Sequence, residues 1–188
     1  MALKAIIYKI SINIADMDRH YYADQQLTVA RHPSETELRL MLRILAWGCY
    51  ADPQLIFTKG LSSEGEPDIW LKNDQGLVSQ WIELGLPDEK RMKKACSQAE
   101  KVILFCYSAR AAHVWWQQQQ PKLAHLPNLT IWFIDDEQLG QLSAMAAKSM
   151  QLQLTLQGGT IWLSDQQHNL EIKLQLWKNS NYSSLHRN

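Results

Sequence analysis

The chain opens on an alternation of period two. Ala5, Ile7, Tyr8, Ile10, Ile12 and Ile14 read as one long strand, with Lys9, Ser11 and Asn13 on the opposite face. Asp16 to His20 is a polar turn, and Tyr21 to Ala30 is its hairpin partner. Arg31-His32-Pro33-Ser34 then stops the sheet, and a period near 3.6 takes over to about Tyr50, with Ser34 as the expected N-cap. Leu55 to Phe57 is a short strand. Two further strands, Asp68 to Lys72 and Leu77 to Gly85, flank a turn at Asn73 to Gly76. A helix follows from Pro87 to about Ala99, then a nearly continuous apolar strand from Lys101 to Tyr107, the kind buried in a mixed or parallel sheet. Ala109 to Gln120 is helical until Pro121, Leu129 to Ile134 is a strand, and Asp136 to Lys148 is a helix. The tail reads as strands at Leu152 to Leu156, Thr160 to Leu163 and Leu170 to Trp177, before a frayed end from Asn179. The pattern predicts a mixed-sheet α/β or α+β fold in one domain spanning residues 1–188, with antiparallel hairpins from both terminal segments around a strand–helix–strand–helix middle.

Composition narrows this little. Eight tryptophans point to a well-filled core, and the formal net charge of zero excludes a surface that grips nucleic acid all over. Any phosphate contact has to come from a local patch. Cys49, Cys96 and Cys106 include no CxxC pair and sit inside helix or strand patterns, as expected of reduced thiols in a cytoplasmic protein. The period-two start carries no uninterrupted apolar run of a secretory signal, and no stretch reaches the roughly 18 apolar residues of a membrane span.

The acids of the central hairpin carry the candidate chemistry. Asp68 follows Pro67, and Glu83 lies on the partner strand, pointing with Trp81 and Gly85 and away from Ile82 and Leu84. If Asp68 faces the same way, two carboxylates converge, a donor set that suits Mg²⁺ and, through it, hydrolysis of a phosphodiester. A strand-starting Asp and a salt-bridged Glu would leave the same trace. On the helix after Pro87, Met92, Ala95, Cys96 and Ala99 form the apolar face, Lys90, Lys93, Lys94 and Ser97 the polar one, and Arg91 the flank. On the first helix Glu37 lies on the side of Met41 and Ile44, while Glu35, Arg39 and Arg43 form a separate polar stripe. Glu37 suits either a metal-bound water or a capping box with Ser34. Trp115 and Trp116 beside four glutamines offer a weaker option of base stacking, and His113 reads as a packing residue.

Three blocks give the chain a wider resemblance: Ala30 to Trp47 (ARHPSETELRLMLRILAW), Glu66 to Leu71 (EPDIWL) and Trp81 to Ala95 (WIELGLPDEKRMKKA). They closely resemble the YaeQ family, and the order of elements resembles the PD-(D/E)xK, or restriction endonuclease-like, core. The resemblance implies a bacterial cytoplasmic protein with a mixed central sheet of nuclease type. In that pattern the third motif is an acid, any residue, then a lysine beside the metal. Here it is Glu83, Leu84, Gly85, and the lysine is missing. One expectation is a Mg²⁺-dependent phosphodiesterase acting on DNA or RNA, with Asp68 and Glu83 on the metal, Glu37 on a metal water, and Lys90, Lys93 or Lys94 in place of the lost lysine. The other is a catalytically inactive module that uses the basic helix (Lys90, Arg91, Lys93, Lys94) with Lys59 or Arg39 to touch nucleic acid or a protein of the transcription machinery.

Overall fold

The computed structural model describes residues 4–59, 61 and 65–180. The chain divides into two compact units. The first takes the chain up to Ala51, Lys59–Glu66 and Glu137–Leu174; the second takes Asp52–Thr58, Pro67–Asp136 and the chain from Gln175.

The first unit is built on a long hairpin, β1 (Ile6–Asp16) and β2 (Tyr21–Arg31), paired residue for residue from Ile6↔Arg31 to Asp16↔Tyr21. The apolar phase of β1 places Tyr8, Ile10, Ile12 and Ile14 on the buried side, each at 2% exposure or less. Burying such a side chain contributes about 1.5–3 kcal/mol. Helix α1 (Glu37–Cys49) belongs to this unit, and Gly48 lets it approach closely: a Cβ there would lie 2.5 Å from Leu154 Cδ2. Ordered by sequence, this unit is completed by α4 (Asp136–Ala144), β8 (Ser149–Gln157), β9 (Thr160–Ser164) and β10 (Asn169–Ile172). Its sheet runs β10-β9-β8-β1-β2, antiparallel except that β1 and β8 are parallel.

The second unit holds β3 (Leu55–Phe57), β4 (Ile69–Lys72), β5 (Val78–Leu84), α2 (Glu89–Gln98), β6 (Ala99–Cys106), α3 (Ala109–Leu123), β7 (Leu129–Phe133) and β11 (Gln175–Lys178). Its sheet order is β11-β7-β6-β5-β4-β3. The central β5, β6 and β7 are parallel, joined by α2 and α3 as crossovers, and antiparallel strands flank them. Trp81, Met92, Ala95, Val102, Leu104, Trp115 and Leu123 share one core cluster. Buried Asn128 ties the turn between α2 and β6 by donating to the carbonyls of Cys96 and Ala99 at 3.0 and 2.9 Å.

The mixed α+β class stands, and the strands of the terminal segments build a second mixed sheet of their own in addition to the central one. The tail segment expected as one strand, Leu170 to Trp177, splits: β10 joins the first sheet and β11 the second. Helix α3 continues through Pro121 to Leu123, since the proline removes a single helical bond and fully buried Leu123 anchors the last turn. Most of the end expected to fray, residues 181–188, lies outside the described residues. No helix among the described residues is long and apolar enough to cross a membrane.

Candidate functional site

The acids of the central hairpin converge. Asp68 stands immediately before β4, whose Ile69 pairs with Ile82; the Asp68 N–H donates to the Ile82 carbonyl at 3.1 Å, and the Asp68 charge acts on the Glu83 carboxyl, so the two acids are neighbours. Both carboxylates are buried, Asp68 at 5% and Glu83 at 8% exposure. Asp68 Oδ2 accepts from the Leu84 N–H at 2.9 Å. The site lies where β5 ends and α2 begins, at the carboxyl end of a parallel strand, the usual place for a ligand in an open α/β sheet.

Glu83 is fully engaged by its own chain. Its Oε2 accepts from Trp81 Nε1 at 2.8 Å, two residues back on the same strand face. Its Oε1 accepts from Arg91 Nε at 2.6 Å. Arg91 stands in the first turn of α2, which is capped by Asp88 accepting from the Arg91 N–H at 2.8 Å. Its guanidinium also lies 5.6 Å from the centre of the Trp81 ring, within cation–π range. Burial pushes the Glu83 carboxyl above the usual carboxylate range; Arg91 and Trp81 pull it back, and the charge of Asp68 adds to the rise.

Gly85 leaves β5 at φ +120°, a backbone region that side-chain-bearing residues avoid, and its N–H donates to the Phe105 carbonyl at 2.9 Å. A Cβ would meet no atom within 4 Å. The missing lysine is therefore a matter of backbone and not of space: the strand has already turned off where the pattern requires one more extended residue. Gly85→Ala is expected to lower stability by about 1–3 kcal/mol in urea unfolding, from backbone strain alone.

Lys90, Lys93 and Lys94 are exposed on α2, and Lys93 pairs with Glu89 at 2.5 Å. Arg91, expected only on the flank of that helix, is thus the cation that reaches Glu83. Glu37, Arg39 and Lys59 fall in the first unit. Glu37 is exposed and accepts from the Tyr8 hydroxyl at 3.1 Å. The capping box with Ser34 is not formed: Thr36 caps α1 by accepting from the Arg39 N–H at 3.1 Å, and Ser34 Oγ lies 2.6 Å from His32 Nδ1. The buried acid at the start of α1 is Glu35, at 3% exposure. It binds Arg39 Nη1 at 3.0 Å and Arg43 Nη2 at 2.7 Å, and Arg43 also donates to the Ala30 carbonyl at 2.9 Å. The expected polar stripe is therefore an interior ion network, with Arg39 at 9% and Arg43 at 2% exposure. Lys59 is exposed.

The aromatic residues pack on one another. Trp115 stacks near Trp116, Trp116 on Trp177, and Trp177 on Phe133, while His113 meets Phe133 and Trp177 edge-on. The cysteines are free, and burial pushes the thiols up, Cys49 to about 12 and Cys96 to about 11.

The donor set does not fit a resident divalent cation as it stands. Mg²⁺ takes near-octahedral oxygen ligands, and here both oxygens of Glu83 are committed, one of them to a guanidinium. Among the described residues no group of three or more His, Cys, Asp or Glu side chains gathers to hold a metal.

Relatives resemble this chain along nearly its whole length. The family described as YaeQ protein matches residues 1–174. The YaeQ protein of Salmonella typhi is 58% identical over 178 residues, covering 95% of this chain and 98% of the relative, and that of Escherichia coli (strain K12) is 56% identical over the same span. The crystal structure of YaeQ protein from Xanthomonas axonopodis pv. citri superposes with a TM-score of 0.90 at 33% identity, covering 93% of this chain and 98% of the other. The one from Pseudomonas syringae gives 0.89 at 31%, covering 94% and 98%. A match that runs from residue 1 to residue 174, with relatives more than half identical over the same stretch, makes this chain a member of the YaeQ family.

Proposed function

We propose that the second unit is a core of PD-(D/E)xK type kept for binding rather than hydrolysis, and that it touches nucleic acid through the lysine face of α2. The order β4, β5, α2, β6, α3, β7, with an antiparallel β4–β5 pair feeding a parallel β5-β6-β7 sheet, supports the nuclease-like reading. The observation that carries the loss of hydrolysis is the ion pair between Arg91 and Glu83, which puts a built-in positive charge where a catalytic metal would bring its own. Gly85 adds to this, because its backbone cannot return the strand lysine. Beside this closed pair, Lys90 and Lys94 project from α2 one turn apart into solvent, and exposed Lys122 comes within 3.9 Å of Glu89. In a protein of zero net charge such a patch gives weak, salt-sensitive contacts with phosphates.

Calorimetric titration with Mg²⁺ or Mn²⁺ is expected to give no stoichiometric binding, alike for wild type, Asp68→Ala and Glu83→Ala. A one-site isotherm in wild type that disappears in Asp68→Ala would return the protein to the hydrolytic reading. For binding, fluorescence anisotropy on labelled duplex DNA across a salt series is the measurement. Lys90→Ala with Lys94→Ala is expected to weaken binding and to lower the slope of log K against log salt by about 2, near 0.9 per lost phosphate contact. An unchanged slope, or no duplex binding at low salt, would remove the nucleic-acid reading.

A further inference from the structure

Strand β2 lies at the edge of the first unit's sheet and is 11 residues long. The other edge strands are β10 with 4 residues, β3 with 3 and β11 with 4. Natural sheets blunt a long edge with a proline, a bulge or inward charges. β2 has no proline, and its register with β1 runs without a shift.

The direction of its backbone groups follows from its neighbour. The Lys9 N–H donates to the Lys148 carbonyl at 2.8 Å, so Lys9 and every second residue after it turn their hydrogen-bonding groups toward β8. Their cross-strand partners Thr28, Gln26, Asp24 and Tyr22 consequently turn theirs away from β1, along the open edge. Ala30 has the same phase, and its carbonyl accepts from Arg43 Nη2, which closes that end. The side chains of two of these residues are held to β1: Asn13 Nδ2 donates to Asp24 Oδ1 at 2.7 Å and Gln26 Nε2 to Ser11 Oγ at 2.8 Å. What remains from Tyr22 to Thr28 is an unbroken row of donors and acceptors on exposed residues.

We propose that this edge pairs with the same edge of a second copy of the chain, antiparallel about a two-fold axis at Gln25, joining two five-stranded sheets into one. The row itself selects this partner and this register. Centred on Gln25, the pairing sets Tyr22 opposite Thr28 and Asp24 opposite Gln26, an aromatic on a β-branched residue and a carboxylate on an amide. It engages the outward N–H and C=O of all four residues. A centre at Asp24 would set two aspartates face to face, and a centre at Gln26 would direct Tyr22 at the Ala30 carbonyl already held by Arg43. The resulting contact is isologous, the common form of a closed dimer.

Sedimentation velocity on the full chain tests this. Wild type is expected to show a concentration-dependent monomer–dimer equilibrium. Gln26→Lys places an ammonium opposite Asp24 twice across the axis and is expected to tighten the dimer about three- to tenfold; Gln26→Glu is expected to loosen it by a similar factor. Both lose the bond to Ser11, so the opposite sign is the readout. Gln26→Pro removes an N–H that β1 does not use and is expected to be monomeric. Hydrogen exchange should show the amides of Tyr22, Asp24, Gln26 and Thr28 gaining protection as concentration rises. A wild type that stays monomeric at its highest soluble concentration overturns the proposal. So does a dimer indifferent to the charge at position 26. Should the proline variant fail to fold, the lysine and glutamate pair still decides.

Discussion

Glu35→Ala is expected to cost about 3–5 kcal/mol of folding stability, read as a large drop in the urea midpoint. Glu35 sits at the start of α1 with both carboxylate oxygens committed, one to Arg39 and one to Arg43. Arg43 and Glu35 both have side chains at 2% exposure. Removing the carboxylate leaves two guanidinium groups in the interior without the charge that offset their dehydration. The penalty comes from that residue of uncompensated charge and not from the strength of the pair itself. Hence the second arm: the triple variant Glu35→Leu, Arg39→Met, Arg43→Met is expected to recover most of the loss, since apolar groups of similar volume bury without dehydration cost. A Glu35→Ala loss below about 1 kcal/mol would mean that water reaches the network.

Arg91→Met is expected to destabilise the protein by about 2 kcal/mol at neutral pH and by much less near pH 5. Arg91 keeps a side chain 28% exposed, so the loss is smaller than for a fully interior pair. The pH sign follows from Glu83. Its folded-state carboxyl already lies above the ordinary range because burial disfavours its charge, and Arg91 is the first of the groups that hold it down. A carboxyl raised in the folded state binds more protons there than in the unfolded chain. Its favourable contribution is full below the unfolded pKa and is lost as pH rises through the folded one. Without Arg91 the folded value climbs and the window widens upward, so the gap between variant and wild type grows from pH 5 to pH 7. Paired urea titrations at the two pH values measure it, and a gap independent of pH would show that Arg91 acts by packing on Trp81 and not by charge.

The strand phases were legible because a half-buried strand repeats every two residues. Tyr8, Ile10, Ile12 and Ile14 announce β1, and the same rule put Trp81 and Glu83 on one face, where the indole now donates to the carboxylate. Gly85 was legible as a vacancy, though its backbone angle was not. Periodicity carries no information on which strand pairs with which, so it could not assign the terminal hairpins to a sheet, and Leu170 to Trp177 looked unbroken. The Glu35–Arg39–Arg43 stripe was misread because charge was equated with solvent. The signal lay in its neighbours: Leu40, Met41, Leu42, Ile44, Leu45, Ala46 and Trp47 leave α1 without a polar side, and a helix apolar all round buries whatever charges it carries. Arg91 was passed over for the lysines because a helical wheel sorts directions and ignores reach, and a guanidinium on the flank of a first turn extends far enough to find a buried acid.

The parallel pairing of β1 with β8 joins residues 9–16 to residues 149–156. In a chain made from its N-terminus, the β1–β2 hairpin can zip locally and early, but its sheet waits for a segment more than a hundred residues downstream. Between them the chain spells out most of the second unit, whose own last strand, β11, arrives later still and adds to β7. Neither sheet is complete until segments beyond residue 148 have been made, so both close late, and of the first sheet only the β1–β2 hairpin, followed directly by α1, can form in the meantime.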